Sequence, residues 1–528
     1  MRNIIFYIWI FVCYMVGGGC SDFLEEYSRD QVYASSCKDL DEALIGNGYM
    51  ESRGDGKAPG FNDLYYGYLF ALDDDAEEHV AMGWGSHNPS FIPQVRNTAT
   101  WQKNPYLQTN TGEDSEDKTV EKLYAHIAYV NTIMSTLDEF PNDPIEDRKR
   151  ILGECQFLRA AYYLMLSNLY GWAYDVKNNG ADLSVPLKTT EWIVEDKFSR
   201  ATVGEVYRVI ERDLIGACAN LRGVEQKNFY RTNQLAARTL LSRVYLYMER
   251  YDEVITQCDS ALNMGLQMLD LNNFFYDTEW LDERDYLYMA SNPEIVFTMG
   301  YATVQDYVTP ATNDYGNTSL VYSASQSLID EYRVDAEVLD LRFRCYFERH
   351  WINSDRFGVV KNYNYEQYWE YPVVFDSFLI RTVEIYLNKA EAQAMKGDLA
   401  GAIATLQPLF DTRYAPGMQP KLSSSSEKEL VNFIRSERRR ELCFEGHRWP
   451  DLRRYAVNTK YPLETTIRHM VYETENGEYA GYYLLKPYGT DNGWIMPFGS
   501  KEISYSEGVL ENPDRPERPN EDPNFRRE

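Results

Sequence analysis

The sequence predicts a mostly α fold: a tetratricopeptide-like helical scaffold carrying an irregular, loop-rich second lobe. Three observations lead there. Apolar residues recur at spacings of three and four over about 118–264 and again over about 376–455. Inside those stretches two helix-turn-helix units fill the small, aromatic and apolar slots of the roughly 34-residue tetratricopeptide pattern. The stretches 42–117 and 265–375 are rich in Tyr, Asn, Gly and Asp and hold no sustained helical period, which makes them the loop-rich lobe on which binding residues gather.

The elements follow in order. From Lys118 to Phe140, Leu123, Ile127, Val130, Met134 and Leu137 mark one helix face, and Pro141 ends it. A second helix from about Ile145 to Tyr170 turns Phe157, Leu158, Ala161, Met165 and Leu169 inward and stops at Gly171, and a third covers about Val203 to Leu221. Ala237, Leu241, Val244 and Met248 form a helix that breaks at Glu249-Arg250-Tyr251-Asp252; Val254, Cys258 and Ala261 mark its partner. The unit recurs in Val383, Leu387, Ala390 and Ala394, a turn at Lys396-Gly397-Asp398, and Leu399, Ile403, Leu406 and Phe410. More than a hundred residues separate the copies, so along the chain this is not an uninterrupted solenoid. The closing segment, 456–528, ends in a Pro-rich stretch from Asn512 to Glu528 that reads as an extended tail.

Charge narrows the partners. A net charge of −28 opposes nucleic acid and anionic membrane surfaces. The 43 Tyr outnumber Phe and Trp together, and such amphipathic rings suit wet binding surfaces. At the N-terminus Arg2 precedes an apolar run from Ile4 to Val16, too short to span a bilayer, so residues 1–19 read as a signal peptide. The small residues before Cys20 fit a bacterial lipobox in which Cys20 takes acyl chains, although Gly17 stands where a lipobox usually carries Leu. The alternative is a plain secreted chain with a thiol near its new N-terminus. Cys37, Cys155, Cys218, Cys258, Cys345 and Cys443 form no CxxC and read as small buried hydrophobes. The six His show no metal-ligand spacing, and nothing calls for a metal or another cofactor.

Several quoted stretches carry a family resemblance. They are the lipobox; Cys155-Gln156-Phe157-Leu158-Arg159-Ala160-Ala161-Tyr162-Tyr163, leading to Tyr170-Gly171 and Val185-Pro186-Leu187; Ala236-Ala237 to Ser242-Arg243-Val244-Tyr245-Leu246; Glu384-Ile385-Tyr386-Leu387-Asn388-Lys389-Ala390-Glu391-Ala392; and, most specific, the run from Arg435 to Arg454. On these the sequence resembles the SusD/RagB family of surface lipoproteins. The resemblance implies one SusD-like unit over 20–528, lipid-anchored to the outer membrane and exposed at the cell surface. It further implies capture of oligosaccharides, or in some members peptides, for a SusC-like TonB-dependent transporter whose barrel the protein caps. A structural lid without its own ligand is the remaining reading.

The Arg435–Arg454 run has its own physical reading. Glu437 and Glu441 bracket Arg438, Arg439 and Arg440, so pairs at three and four spacings are expected along one helix, with Gly446 ending it and Pro450 in the first turn of the next. The expected role is structural; a catalytic or nucleic-acid role for the arginines is opposed by the acidic chain and the export signal.

A sugar ring has an apolar face and a hydroxyl rim, so its site needs aromatic rings beside amides and carboxylates. Two stretches offer them: Trp84 between Gly83 and Gly85, with Asn88 and then Trp101; and Tyr307, Asn313 and Tyr315 within a run of rings and polar groups. The alternative for each ring is packing of the loops on the lobe's core. The run Asp73-Asp74-Asp75 with Glu77 and Glu78 reads as solvated or hydrogen-bonded carboxylates, with calcium or hydroxyl contacts as alternatives. No catalytic motif is present, so an enzyme is the least supported class.

Overall fold

The structure is a computed structural model that describes residues 34–50, 65–66, 68–78, 91–114, 118–192, 197–274, 287–299, 322–332, 337–349, 357–361, 374, 378–423, 425–473 and 478–522. In chain order its main elements are α1 (Cys37–Ala43), β1 (Ala76–Glu78), α2 (Phe91–Ala99), α3 (Thr119–Thr136), α4 (Ile145–Tyr170), α5 (Val203–Asn220), α6 (Gln234–Tyr247) and α7 (Tyr251–Leu262). There follow β2 (Ile295–Phe297), β3 (Tyr322–Ala324), α8 (Gln326–Glu331), α9 (Arg342–Tyr346), β4 (Phe347–Arg349), β5 (Phe357–Val359) and β6 (Ile380–Arg381). The chain closes with α10 (Val383–Met395), α11 (Leu399–Arg413), α12 (Glu427–Leu442), α13 (Arg448–Val457), β7 (Ile467–Tyr472), β8 (Tyr479–Leu485) and α14 (Ser500–Tyr505).

Local chemistry sets the helix starts. Thr202 and Glu205 form a reciprocal capping box at α5: the Thr202 Oγ1 accepts from the Glu205 N–H at 3.2 Å, and the Glu205 carboxylate accepts from the Thr202 N–H at 2.9 Å. Asn233 caps α6 on the Ala236 N–H at 2.7 Å. Between α10 and α11 the chain reverses at Gly397, φ +84°, a conformation costly for any side chain with a Cβ, and Asp398 then caps α11 on the Gly401 N–H at 2.9 Å.

Successive helices α3 to α7 pack each on the next, and α10 packs on both α7 and α11. The two helical pairs that lie far apart in sequence are therefore neighbours in space. Asn388 on α10 donates to the Ser242 hydroxyl on α6 at 2.9 Å, and Lys389 pairs with Asp259 on α7 at 2.7 Å. The period-derived residues Leu123, Ile127, Val130, Phe157, Leu158, Val244, Leu387 and Leu406 are all buried. All six cysteines from Cys37 to Cys443 are buried.

Strands are short and come as antiparallel pairs: β1 with β3, β2 with β6, β4 with β5, and β7 with β8. The helix α2 lies inside the stretch expected to be loop. The tail also differs from expectation: up to residue 522 it is extended but docked. The buried Arg518 donates to Asp491 at 2.8 Å and to the carbonyl of Trp101 at 3.1 Å, and Arg515 donates to the carbonyls of Gln102, Gly493 and Ile495. Prolines remove backbone donors there, and arginines supply side-chain ones instead.

Candidate functional site

The site is built from the roots of the two sequence-predicted loops. In the β1–β3 ribbon Glu78 is the register partner of Tyr322. Residue 79 leaves from Glu78 and residue 321 leads into Tyr322, so both loop stretches attach to the same end of one ribbon, on backbones about 5 Å apart. Arg96 on α2 locks this end: its Nε and Nη2 donate to the two Glu78 carboxylate oxygens at 3.0 and 2.6 Å. The Glu78 carboxylate also accepts from the Tyr472 N–H at 3.0 Å, and Arg96 Nη2 donates to the Tyr472 carbonyl at 2.5 Å. That pins the end of β7 beside the loop roots.

Trp84 and Asn88 of the first loop, Tyr307, Asn313 and Tyr315 of the second, and Cys20 at the lipobox lie outside the described residues. Trp101 is placed, and it corrects the expectation of ligand contact. Its side chain is 0% exposed, its indole N–H donates to the Leu72 carbonyl at 3.0 Å, and it stacks against His469 of β7 with centroids 4.4 Å apart. A ring buried on this scale has no face left for a sugar; it is the floor beneath the β7–β8 hairpin. The His469 Nδ1 and Nε2 atoms lie 2.7 and 2.8 Å from the carbonyls of Ala99 and Asp73, and burial holds its imidazole below the usual range although both carbonyls favour the protonated form.

The acidic run is tied inward as well. Arg448 holds Asp74 through two bonds of 2.6 and 2.8 Å, and Arg439 Nε donates to Asp75 at 2.8 Å. Burial works against ionisation of Asp74, but Arg439 and Arg448 hold its carboxyl well below the usual range, whereas burial and the neighbouring Asp75 and Asp74 push Asp73 well above it. The ligand-bearing oxygens of the three lie within 4.8 Å of one another, yet two guanidiniums already occupy the cluster. Of the two roles expected for this run, the hydrogen-bonded one forms and the solvated one does not: Asp73 and Asp75 are buried and Asp74 is half-buried.

Behind the cluster is a cavity of about 90 Å³ lined by Tyr65, Asp75, Arg243, His447 and Trp449 among others. The Asp75 Oδ2 and Trp449 Nε1 atoms are buried without hydrogen-bond partners. The space suits a few waters, at about 10–15 Å³ each, and is below the ~300 Å³ at which ligand pockets begin. A wider groove of about 500 Å³ lies between α8 and α12, but Tyr414, Asp340 and Arg440 on its wall are committed to ion pairs and hydrogen bonds with Arg342 and Glu437.

The hairpin is the part of this site that the sequence reading missed. Its signal was present: Ile467, His469 and Val471 alternate with Arg468, Met470 and Tyr472, the period of a strand with one covered face.

Comparison with known proteins decides the family. Residues 75–246 match the family described as "Starch-binding associating with outer membrane", and residues 353–514 match the SusD family. The chain belongs to the SusD/RagB family. It is 24% identical over 370 residues to the SusD-like protein P38 of Formosa agariphila, spanning 62% of this chain and 71% of that one. A putative sugar binding protein from Bacteroides vulgatus has the same fold, with a TM-score of 0.67 and 23% identity over 91% of this chain and 99% of the other. A SusD superfamily protein from Bacteroides thetaiotaomicron does too, with a TM-score of 0.60 and 21% identity over 90% and 99%. The matched segments of this SusD-family chain include both β1 and the β7–β8 hairpin, whereas β3 lies between them.

Proposed function

We propose that this protein is a cell-surface lipoprotein that captures oligosaccharides and delivers them to a SusC-like TonB-dependent transporter, held at the outer membrane by acyl chains on Cys20. What carries the reading is the pairing of Glu78 with Tyr322, which roots the Trp84 stretch and the Tyr307–Tyr315 stretch at one end of one ribbon. On this reading rings and amides of both stretches serve one ligand, the combination that a sugar's apolar face and hydroxyl rim require. The sugar-binding description of a protein with the same fold and the outer-membrane description of the matched family support it. Among the described residues no helix is long and apolar enough to cross a membrane.

An array of oligosaccharides and peptides on the mature protein tests the reading. Binding of an oligosaccharide that weakens about tenfold or more in Trp84→Ala, by analogy with base stacking on aromatic rings, is the expected result. Binding of peptides alone would replace the ligand class. Loss of all ligand binding with retained transporter association would make the protein a lid. For the anchor, Cys20→Ala should release the protein from outer-membrane fractions of cells lacking the transporter, and retention there would overturn lipidation.

A further inference from the structure

The β7–β8 hairpin has two chemically distinct faces. Register pairs His469 with Tyr483 and Val471 with Gly481 on the inner face, above Trp101 and the core. The outer face carries Arg468, Met470 and Tyr472 from β7, opposite Leu484, Tyr482 and Tyr479 from β8. Tyr472 and Tyr479 meet edge to face, with centroids 6.2 Å apart. The Arg468 guanidinium lies 4.0 Å from the Tyr482 ring centroid. Tyr479 is 42% exposed.

The hairpin is held still by its surroundings. The tail runs along the free edge of β8: Asn520 donates to the Ala480 carbonyl at 2.7 Å and accepts from the Tyr482 N–H at 3.2 Å, and the Glu521 N–H donates to the Tyr482 carbonyl at 2.9 Å. Gly481, at φ +114°, is what lets the tail come so close, since a Cβ there would sit 2.1 Å from the Asn520 amide. At the other end Tyr472 is bonded through its backbone to Glu78, the root of the Trp84 stretch.

We infer that the outer face of this hairpin, Tyr472, Tyr479 and Tyr482 with Arg468, is a further binding surface for the sugar rings of the same ligand, continuous with the loop-root end of the ribbon. The inference rests on the glycan-capture reading. Its occupant is a hydroxyl-bearing pyranose: the Tyr479 ring, 42% exposed, offers a flat apolar face, and Arg468, which lies over the Tyr482 ring and is hydrogen-bonded to the Tyr479 hydroxyl, has further N–H donors for a hydroxyl rim. Arg96 and Glu78 are positioning residues, acting through the Tyr472 backbone.

Calorimetric titration of the mature protein with hexasaccharides of α-glucan, β-glucan, xylan, mannan and galactan tests it. With whichever hexasaccharide binds, Tyr479→Ala and Tyr482→Ala should each weaken affinity about fivefold or more. Tyr479→Phe, which keeps the ring, should bind within about twofold of the parent, and melting temperatures should stay unchanged because Tyr479 is exposed. If both alanine variants bind like the parent while Trp84→Ala is weakened, the hairpin is excluded and glycan capture stands. If the parent binds none of the hexasaccharides but binds peptides, glycan capture and the hairpin inference fail together.

Discussion

Helix α10 packs against α11 and against α12 by opposite physics. Toward α11, Leu387, Ala390 and Ala394 meet Ala402, Leu406 and Leu409 in a buried apolar contact, with one hydrogen bond, Thr405 to Gln393, at its side. Toward α6, α12 and α13 the same helix presents Glu384, Asn388 and Glu391, equally buried, to Arg243, Arg438 and Arg454, whose guanidiniums donate to the two carboxylates and to the Asn388 amide oxygen at 2.6 to 2.8 Å. Beyond it, Glu441 on α12 accepts from Arg342, Arg381 and Arg413, and Glu294 and Glu445 complete the shell. These arginines come from α9, β6 and the end of α11, so the ionic region ties distant chain segments to the scaffold, while the apolar region joins neighbours in sequence. Apolar contact is tolerant of partner and angle; a buried carboxylate accepts only the guanidiniums aimed at it. The family-matched run thus serves to lock segments in register.

The sharpest break of this contrast is at Glu441. Glu441→Ala leaves three buried guanidiniums short of a counter-charge and should cost about 3–5 kcal/mol in denaturant unfolding. Against that, Leu406→Ala on the apolar side should cost about 3 kcal/mol through lost burial and a cavity. A Glu441 variant less damaging than the Leu406 one would mean that the ionic region contributes little to holding the segments.

Acid should separate the two regions too. His447 lies among the ionic residues; burial first, then Arg243 and Arg438, hold its imidazole well below the usual range. Its Nδ1 faces an Arg438 donor at 3.1 Å, so that nitrogen keeps its lone pair. As pH falls below about 6.5, the unfolded chain takes up a proton that the folded chain refuses, and stability should fall by up to about 1.4 kcal/mol per pH unit from this group. A second loss follows below the usual carboxylate range: burial opposes their charge, but Arg413 and Arg381 at Glu441, and Arg454 at Glu391, hold those carboxyls low, so the folded state resists protonation that the unfolded state accepts. Unfolding free energy measured from pH 8 to 4 checks this, and a curve flat between pH 7 and 5 would remove His447 from the account. The smallest effect belongs to local structure: Thr202→Ala removes half of the α5 capping box and should cost about 1 kcal/mol near neutral pH.

The two regions differed as much in how they could be read. The apolar stripes of α3 to α7, α10 and α11 were legible because the helical period is a local property, repeated every turn. The run from Arg438 to Glu441 was legible only as a helix with a structural role. Of the pairs expected along it, Glu437 with Arg440 forms, at 2.6 Å, while Arg438 turns to Asp451 and Arg439 to Asp75. Gly446 takes the left-handed conformation as expected, but Phe444 takes one before it, just past the end of α12. Trp101 shows the same limit at the site: its sequence neighbours Gln102 and Lys103 are polar, and what buries it, His469 and Arg518, lies more than three hundred residues on.

By itself the sequence determined the helical scaffold, its paired units, the buried cysteines and the aromatic-polar character of two loop stretches, because each is written in spacing and composition within a few turns of chain. Only the tertiary structure decided that the two helical pairs stack together, that the two loops share one ribbon end, that Trp101 is a floor, and that the outer tyrosines of the β7–β8 hairpin stand beside the loop roots. Those facts depend on which distant backbone comes to lie alongside which. That choice is made by a few long-range bonds, such as Glu78 to Tyr472 and Glu441 to its three arginines, that leave no periodic trace in the chain.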